Sequence, residues 1–278
     1  METHQYNEFM HSIFPVIVLY KTSLQESQSY QSLLRPNGID DFLVYDNSPA
    51  DYDSDLSQIP AGASYIRDTA NSGLPKAYNE AARMAQAKGC SHLLLLDQDT
   101  DFPEQMWQAY QANLPFAGIV APILRTNQGR NFSPVYIAGL SPQALPVIPG
   151  DYSLFVYAPV NSGCCIPVRP YLEAGGYDEA LRLDFADYQF QARFRKICPA
   201  VRFLSMVGVQ DFSNDCMDFS KVLQRFSLYL EGARYCHFDT WSQVLKHQYG
   251  VAKHALALSL KMSSPRFLSL YLTQFLFN

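Results

Sequence analysis

Residues 91–99 read Ser91-His92-Leu93-Leu94-Leu95-Leu96-Asp97-Gln98-Asp99. Four successive leucines do not alternate with polar residues, as a strand with one wet face would, and the run is short for a helix. It reads as a buried strand covered on both faces, which is the pattern of a sheet packed between helices. Two carboxylates close the run. Charge at the end of such a strand is costly unless it meets water, a cation or hydrogen-bond donors. Ligands of open α/β sheets sit beyond the carboxyl ends of the strands. The i, i+2 spacing of Asp97 and Asp99 lets both turn toward one ligand there, and a divalent ion would take their oxygens. Thr100 and Asp101 extend this polar loop.

Upstream, residues 14–20 (FPVIVLY) and 41–45 (DFLVY) have the β-branched and aromatic character of strands. The second stops at Asp46-Asn47-Ser48-Pro49, a turn sequence. Residues 64–67 (SYIR) make a short third strand. Residues 75–88 (PKAYNEAARMAQAK) predict a helix, with proline in its first turn, alanines inside it and Gly89 at its end. Just before it, Gly73 permits a close backbone approach, and the helix start offers unpaired amides to an anion, with Lys76 or Arg67 at hand for a phosphate.

Downstream come a helix over 103–112 and a strand over 118–121 (GIVA). Helices between buried strands predict right-handed crossovers and a mostly parallel sheet. Residues 124–159 are rich in proline and read as loops with one or two short strands. Sheet character returns at 161–167 (NSGCCIP), a short helix follows at 169–174, and Gly175-Gly176 stops it. The helix over 186–195 carries Asp187 and Arg193, with Asp184 just ahead. A carboxylate placed beside a hydroxyl acts as a general base; a helix-end carboxylate in a salt bridge is the plainer reading of the same residues. Beyond Asp215 the chain reads as two or three amphipathic, somewhat basic helices.

Composition excludes several classes. The net charge of −5 comes with no basic stripe, so no nucleic-acid surface is expected. The six cysteines form no CxxC pair and the six histidines no HExxH set, so reduced thiols are expected and structural zinc is not. No P-loop and no GxGxxG fingerprint occurs. The N-terminal stretch lacks a basic start followed by an apolar run, and no run of about 20 apolar residues occurs anywhere. A soluble, cytoplasmic protein is expected. The apolar tail over 267–277 (FLSLYLTQFLF) would be a buried helix, a homodimer surface or a peripheral contact with the inner face of the cell membrane.

Taken in order, VIVLYKT at 16–22, VYDNS at 44–48, NSGLPKAYNEA at 71–81, LLLLDQDT at 93–100, NSGCCIP at 161–167 and GGYDEALRLDFADYQFQAR at 175–193 resemble family 2 glycosyltransferases of the GT-A fold. The form LLLDQD is the one common in the bacterial rhamnosyltransferase-like branch that serves polysaccharide assembly, capsule and O-antigen included. The resemblance covers roughly residues 14–213. It implies a GT-A catalytic domain over 1–214, with a Rossmann-like, mostly parallel sheet flanked by helices, and a helical extension over 215–278. It implies an inverting transfer from a nucleotide-sugar donor, dTDP-L-rhamnose or a UDP-sugar, to a saccharide or lipid-linked saccharide.

By the same resemblance, Asp187 is the catalytic base. Asp46 meets the nucleotide base, and Asn71, Gly73, Lys76 and Asn79 lie by the donor pocket. Asp97 serves the nucleotide sugar, and Asp99, with Asp97, holds Mg²⁺ or Mn²⁺. Ser162 and Gly163 floor the site, and Arg193 matches the arginine of the last segment. One departure bears on the metal. Gln210 stands where related sequences often have histidine, and Asp211 is the candidate replacement ligand. That departure keeps a non-catalytic glycan- or nucleotide-sugar-binding protein as the alternative. A sugar nucleotidyltransferase would carry a glycine-rich, basic loop after its first strand, where this chain has Tyr20-Lys21-Thr22-Ser23-Leu24.

Overall fold

The computed structural model describes residues 12–139, 142–182, 184–211 and 218–277. His4, His11, Phe212, Ser213, Cys216 and the boundary expected at 214/215 lie outside the described residues.

Four strands pair in parallel in the order β3-β2-β1-β4: β1 (Ile13–Leu19), β2 (Leu43–Asp46), β3 (Ser64–Arg67) and β4 (His92–Asp97). The following strands are β5 (Thr100–Asp101), β6 (Ile119–Thr126), β7 (Asn131–Ser133), β8 (Val135–Tyr136), β9 (Gln143–Ala144), β10 (Gly150–Ser153), β11 (Tyr157–Ala158), β12 (Cys165–Pro167) and β13 (Ala200–Gln210). The sheet continues past β4 as β12-β6-β13-β10. β12 runs antiparallel to both its neighbours, whereas β6 and β13 are parallel. β8, β9 and β11 form a separate small sheet within the proline-rich stretch.

Helices cover both faces, which explains the unbroken leucines of β4. Leu93 and Leu95 point into one core with Phe14, Val16 and Val18 of β1. That core is closed by Ala77, Tyr78 and Ala81 of α1 (Leu74–Ala87), Tyr171 of α3 (Val168–Glu173) and Phe190 of α4 (Ala186–Phe194). Leu94 and Leu96 point to the opposite core, with Ile17 and Leu19. There they meet Tyr30, Leu33 and Leu34 and the residues Met106, Trp107 and Tyr110 of α2 (Met106–Asn113). Successive side chains of a strand alternate between faces, so a strand buried on both needs no polar residue until it ends.

Two elements went unread in the sequence. Residues 24–34 form a 3-10 turn, Leu24–Glu26, and a π-helical turn, Tyr30–Leu34. The signal was present: Ser23 and Glu26 make a reciprocal capping box. β13 is the longest strand, and its register slips between Phe203 and Val207, which breaks the alternation that would have revealed it.

The last part of the chain comprises α5 (Phe219–Arg234), α6 (Trp241–Lys261), α7 (Arg266–Leu270) and a π-helical turn, Tyr271–Leu276. Phe226, Leu230, Ala233, Val251, Ala255 and Phe267 build a separate core there. Arg225 grips the Asp184 carboxylate with both terminal nitrogens, the second at 2.8 Å. Phe185 packs on the rings of Tyr229 and His247, and Gln189 exchanges hydrogen bonds with the backbone of His237. These helices therefore lean on the chain segment that leads into α4. Among the described residues no helix is long and apolar enough to cross a membrane. Cys90, Cys164, Cys165, Cys198 and Cys236 are free thiols.

Gly163 ties β12 to β4. Its N–H donates to the Leu95 carbonyl at 2.8 Å, and its own carbonyl accepts from the Tyr110 hydroxyl at 2.7 Å. Its φ of +78° and the packing leave no room for a side chain: a Cβ there would lie 2.6 Å from Pro122 and 2.9 Å from the Tyr110 hydroxyl. Gly163→Ala is expected to destabilise the protein by about 2 kcal/mol, from overpacking plus the left-handed backbone. Urea unfolding measures this, and an unchanged midpoint would contradict it.

Candidate active site

The parallel strands deliver their carboxyl ends to one edge. Asp46 ends β2 and Asp97 ends β4, with the end of β1 between them. Register places Leu19 opposite Asp46 and Val18 opposite Asp97. Two strand spacings separate the backbones of β2 and β4, about 10 Å. The Gln98 amide secures the end of β1, accepting from the Tyr20 N–H at 2.7 Å. The buried Ser29 hydroxyl donates to the backbone carbonyl of Asp97 and lies 3.0 Å from that of Thr100. The unread 24–34 segment thus holds the acidic turn in shape.

Asp97 is half-buried and accepts from the Tyr78 hydroxyl at 3.2 Å. Gln210, at the end of β13, points its amide nitrogen at both acids, 3.5 Å from Asp97 Oδ2 and 3.2 Å from Asp99 Oδ1. Burial, together with the charges of Asp99 and Asp187, pushes the Asp97 carboxyl up to about 7. Burial also raises Asp99, with Asp211 adding to the effect. Asp187 sits in the first turn of α4, half-buried, and is raised chiefly by burial and further by Asp184. The charges of Asp97 and Asp187 both raise Tyr78, itself lifted mainly by burial. Asp97, Asp99, Asp187 and Tyr78 therefore share one electrostatic neighbourhood. Ser162 joins it through Thr100, hydroxyl to hydroxyl at 2.7 Å.

Asp46 is 1% exposed and accepts from the Ser48 N–H at 2.8 Å, the Ser54 hydroxyl at 2.5 Å and the Tyr65 hydroxyl at 2.7 Å. Burial alone would raise it, but these hydrogen bonds prevail and hold it below the usual carboxylate range. Next to it, Asp68 takes the Tyr45 hydroxyl at 3.0 Å and Lys76 at 3.5 Å. Lys76 is thus engaged by the acid that follows β3. Asn71 is exposed, with φ at +48°.

Other expected positions have different occupations. The close approach at Gly73 is made by the chain itself: a Cβ there would lie 2.2 Å from the Arg182 carbonyl oxygen, which also takes the Leu74 N–H. Asn79 is committed to the 171–179 segment, donating to the Tyr177 carbonyl and to Glu179 at 2.9 Å each and accepting from the Tyr171 hydroxyl at 2.7 Å. Arg193 donates to the carbonyls of Ala174, at 3.2 Å, and Gly176. Asn79 and Arg193 line a hollow with Arg83, Tyr177 and Glu179. Gly163 packs against Pro122 and Tyr110. Asp184, weighed beside Asp187, is the salt bridge to Arg225. Asp211 is exposed and accepts from Asn127 at 2.8 Å, and among the described residues no three acidic, histidine or cysteine side chains gather as a metal set.

The remaining pair still suits a hard cation. Asp97 and Asp99 present oxygens on either side of one Gln210 amide, and Gln210 Oε1 is buried with no hydrogen-bond partner among the described residues. Two carboxylates and an amide oxygen are the donor chemistry of Mg²⁺ or Mn²⁺.

The sheet order, with an antiparallel β12 set into a mostly parallel sheet, is that of the GT-A fold. Solved structures agree. GalNAc-T7 in complex with UDP, GalNAc and Mn²⁺ superposes with a TM-score of 0.54 at 12% identity, over 88% of this chain and 55% of that one. The chain thus spans about half the length of that structure. Residues 1–349 of S. aureus TarS give 0.50 at 14% identity, over 91% and 74% of the two chains. The TarS complex with UDP-GlcNAc gives 0.51 at 13% identity, over 92% and 74%. No family profile and no curated protein matches the sequence.

A prediction follows from the raised Asp97. Its carboxyl titrates at about 7 in the fold and near 3.9 when unfolded. The folded state then binds the proton more tightly, and stability falls as pH rises between about 4 and 7. Asp97→Asn removes that loss. In metal-free buffer its Tm is expected to exceed wild type by about 10 °C at pH 8 and to converge with it near pH 4. A difference independent of pH would contradict the assignment.

Proposed function

We propose that this chain is an inverting, divalent-cation-dependent glycosyltransferase of family 2 that moves a sugar from a nucleoside diphosphate to a hydroxyl of a saccharide or lipid-linked acceptor. The observation that carries this reading is the shared neighbourhood of Asp97, Asp99 and Asp187 at the carboxyl edge of a GT-A sheet. The neighbours' complexes with UDP, UDP-GlcNAc and Mn²⁺ support the donor class and the cation. The DQDT segment supports dTDP-L-rhamnose among donors, and the UDP complexes support a UDP-sugar.

In this reading Asp187 accepts the proton of the acceptor hydroxyl. That oxygen bonds to the anomeric carbon as the bond from that carbon to the diphosphate oxygen breaks, and the diphosphate leaves with the electron pair. One displacement inverts the carbon. Burial suits Asp187 to the task, because a raised carboxyl is a stronger base than an exposed one. A divalent cation held by Asp97 and Asp99 supplies positive charge against the leaving diphosphate. Asp46, 1% exposed and held by Ser48, Ser54 and Tyr65, shapes the loop after β2 that would receive the nucleobase. Ser162 lies beside Thr100 below the acids. Asp187→Asn is expected to cut turnover by about 10²–10⁴-fold while leaving nucleotide-sugar affinity within about twofold of wild type. Undiminished turnover would remove Asp187 as the base; donor binding without transfer or hydrolysis in the wild type would favour the non-catalytic alternative.

The acceptor side of the proposal rests on α6. Trp241, Leu245, Tyr249, Leu256 and Leu260 are exposed along one stripe of this helix, beyond the face that packs on α5. Residues 240–277 contain Lys246, Lys253, Lys261 and Arg266 and no acidic residue, in a chain of net charge −5. An apolar stripe edged by lysines fits the surface of an anionic bilayer, which would bring a lipid-linked acceptor to the strand ends. Paired face to face in a homodimer, the same lysines would repel. Leu245→Glu with Leu260→Glu should abolish co-sedimentation with phosphatidylglycerol vesicles and leave Tm within a few degrees of wild type. No sedimentation of the wild type would reject membrane docking.

A further inference from the structure

Asp187 is aimed by its backbone. Its carboxylate accepts from the N–H of the next residue, Tyr188, at 2.7 Å, and among the described residues no side chain of another element hydrogen-bonds it. Where α4 begins therefore decides where the carboxylate points. The helix does not fix its own start. Phe185, its N-cap residue, makes no side-chain capping bond and stands at φ +66°, in the left-handed region that is costly for a bulky aromatic residue. Such a conformation persists only when its surroundings hold it. The holding contacts come from the C-terminal helices. Both terminal nitrogens of Arg225, on α5, grip the Asp184 carboxylate, the second at 2.8 Å. The Phe185 ring packs on Tyr229 at 4.9 Å and on His247 at 5.3 Å between centroids. Further along, Gln189 Nε2 donates to the His237 carbonyl and Gln189 Oε1 accepts the His237 N–H, both at 3.1 Å. Asp187 thus lies between two clamps, one at Asp184 and one at Gln189.

We propose that Arg225 is a positioning residue for the base: its two-nitrogen grip on Asp184 sets the chain entering α4 and so holds the Asp187 carboxylate toward the acceptor oxygen. The inference rests on the transferase reading, in which Asp187 takes the acceptor's proton. A guanidinium fork meets a carboxylate in one plane, so the pairing fixes orientation as well as distance. A lysine would keep the charge and lose the plane. Asp184 lies near enough for its charge to bear on Asp187, and Arg225 takes that charge into an ion pair. Gly232 of α5 permits the close approach: a Cβ there would stand 3.3 Å from the Asp184 carbonyl oxygen and 3.5 Å from the Phe185 ring. Among the described residues Arg225 hydrogen-bonds Asp184 and none of Asp97, Asp99 and Asp187, so it acts through the chain that carries the base. This gives α5 a part in turnover distinct from the exposed stripe of α6.

The experiment is hydrolysis of dTDP-L-rhamnose and UDP-hexoses by the full chain in the presence of Mn²⁺, with water as the acceptor, for wild type, Arg225→Met, Arg225→Lys and Asp187→Asn. Methionine keeps much of the stem and removes the charge; lysine keeps the charge and loses the fork. As a positioning residue, Arg225 gives a kcat about 10- to 100-fold lower in Arg225→Met, with donor KM within about twofold of wild type and Arg225→Lys between the two. A folded Arg225→Met with wild-type kcat, alongside an inactive Asp187→Asn, overturns the proposal and leaves the transferase reading intact. A rise in KM that matches the fall in kcat also overturns it, because the loss then lies in the donor pocket and not in the base. Undiminished turnover in Asp187→Asn, or no hydrolysis of any donor by the wild type, removes the base reading and the role of Arg225 with it. A melting transition within a few degrees of wild type identifies the folded variants. Should Arg225→Met fail this, Arg225→Lys carries the comparison: a lower kcat at constant KM supports the proposal, and wild-type kcat overturns it.

Discussion

Negative charge held at the end of β4 is the constraint on which the site depends. Asp97 closes a strand of four buried leucines, with Asp99 two residues on and Asp187 within electrostatic range. Desolvation and mutual repulsion oppose ionisation of all three. The protein answers with neutral donors, the Tyr78 hydroxyl and the Gln210 amide, which leave the cluster short of positive charge. A site so built favours whatever brings that charge, and a cation bound to a diphosphate does so.

The scaffold explains why the acids stand where they do. The double cover of β4 requires apolar residues on both faces, so charge can enter only where the strand ends. α1 carries Tyr78 over that end, and β13 carries Gln210 to it from the far side of β6. α4 begins after a left-handed Phe185, whose ring is wedged against α5 and α6, and Asp187 follows two residues later. The C-terminal helices therefore help to fix where Asp187 begins its helix, in addition to presenting the lysine-edged stripe.

The fold was largely legible because its strands are short apolar runs with clear turn residues after them. Residues 91–96 and the helix over 75–88 fall within a residue or two of β4 and α1. β13 was hidden by its register slip, and the 24–34 segment by the brevity of its turns. The acids of the site were legible for the same reason as the strands, since each follows an apolar run. Their partners were not. Tyr78 reads as one more apolar residue of a helix face, and nothing local marks Asn79 and Arg193 as holding the 171–179 segment. Those contacts join residues far apart in sequence, up to 100 positions for Asn79 and Glu179. Glycines mislead in a similar way. A close backbone approach at Gly73 is evident from its type, but not that the approaching group is the carbonyl of Arg182.

The most direct test of the central claim is a panel of nucleoside diphosphate sugars, dTDP-L-rhamnose and UDP-hexoses among them, scored for thermal stabilisation and slow donor hydrolysis with and without Mn²⁺. The account predicts that at least one raises the Tm only when the cation is present, is hydrolysed without acceptor, and loses both effects in Asp99→Ala. A folded wild type that no nucleotide sugar stabilises, or stabilisation unchanged in Asp99→Ala, would contradict it.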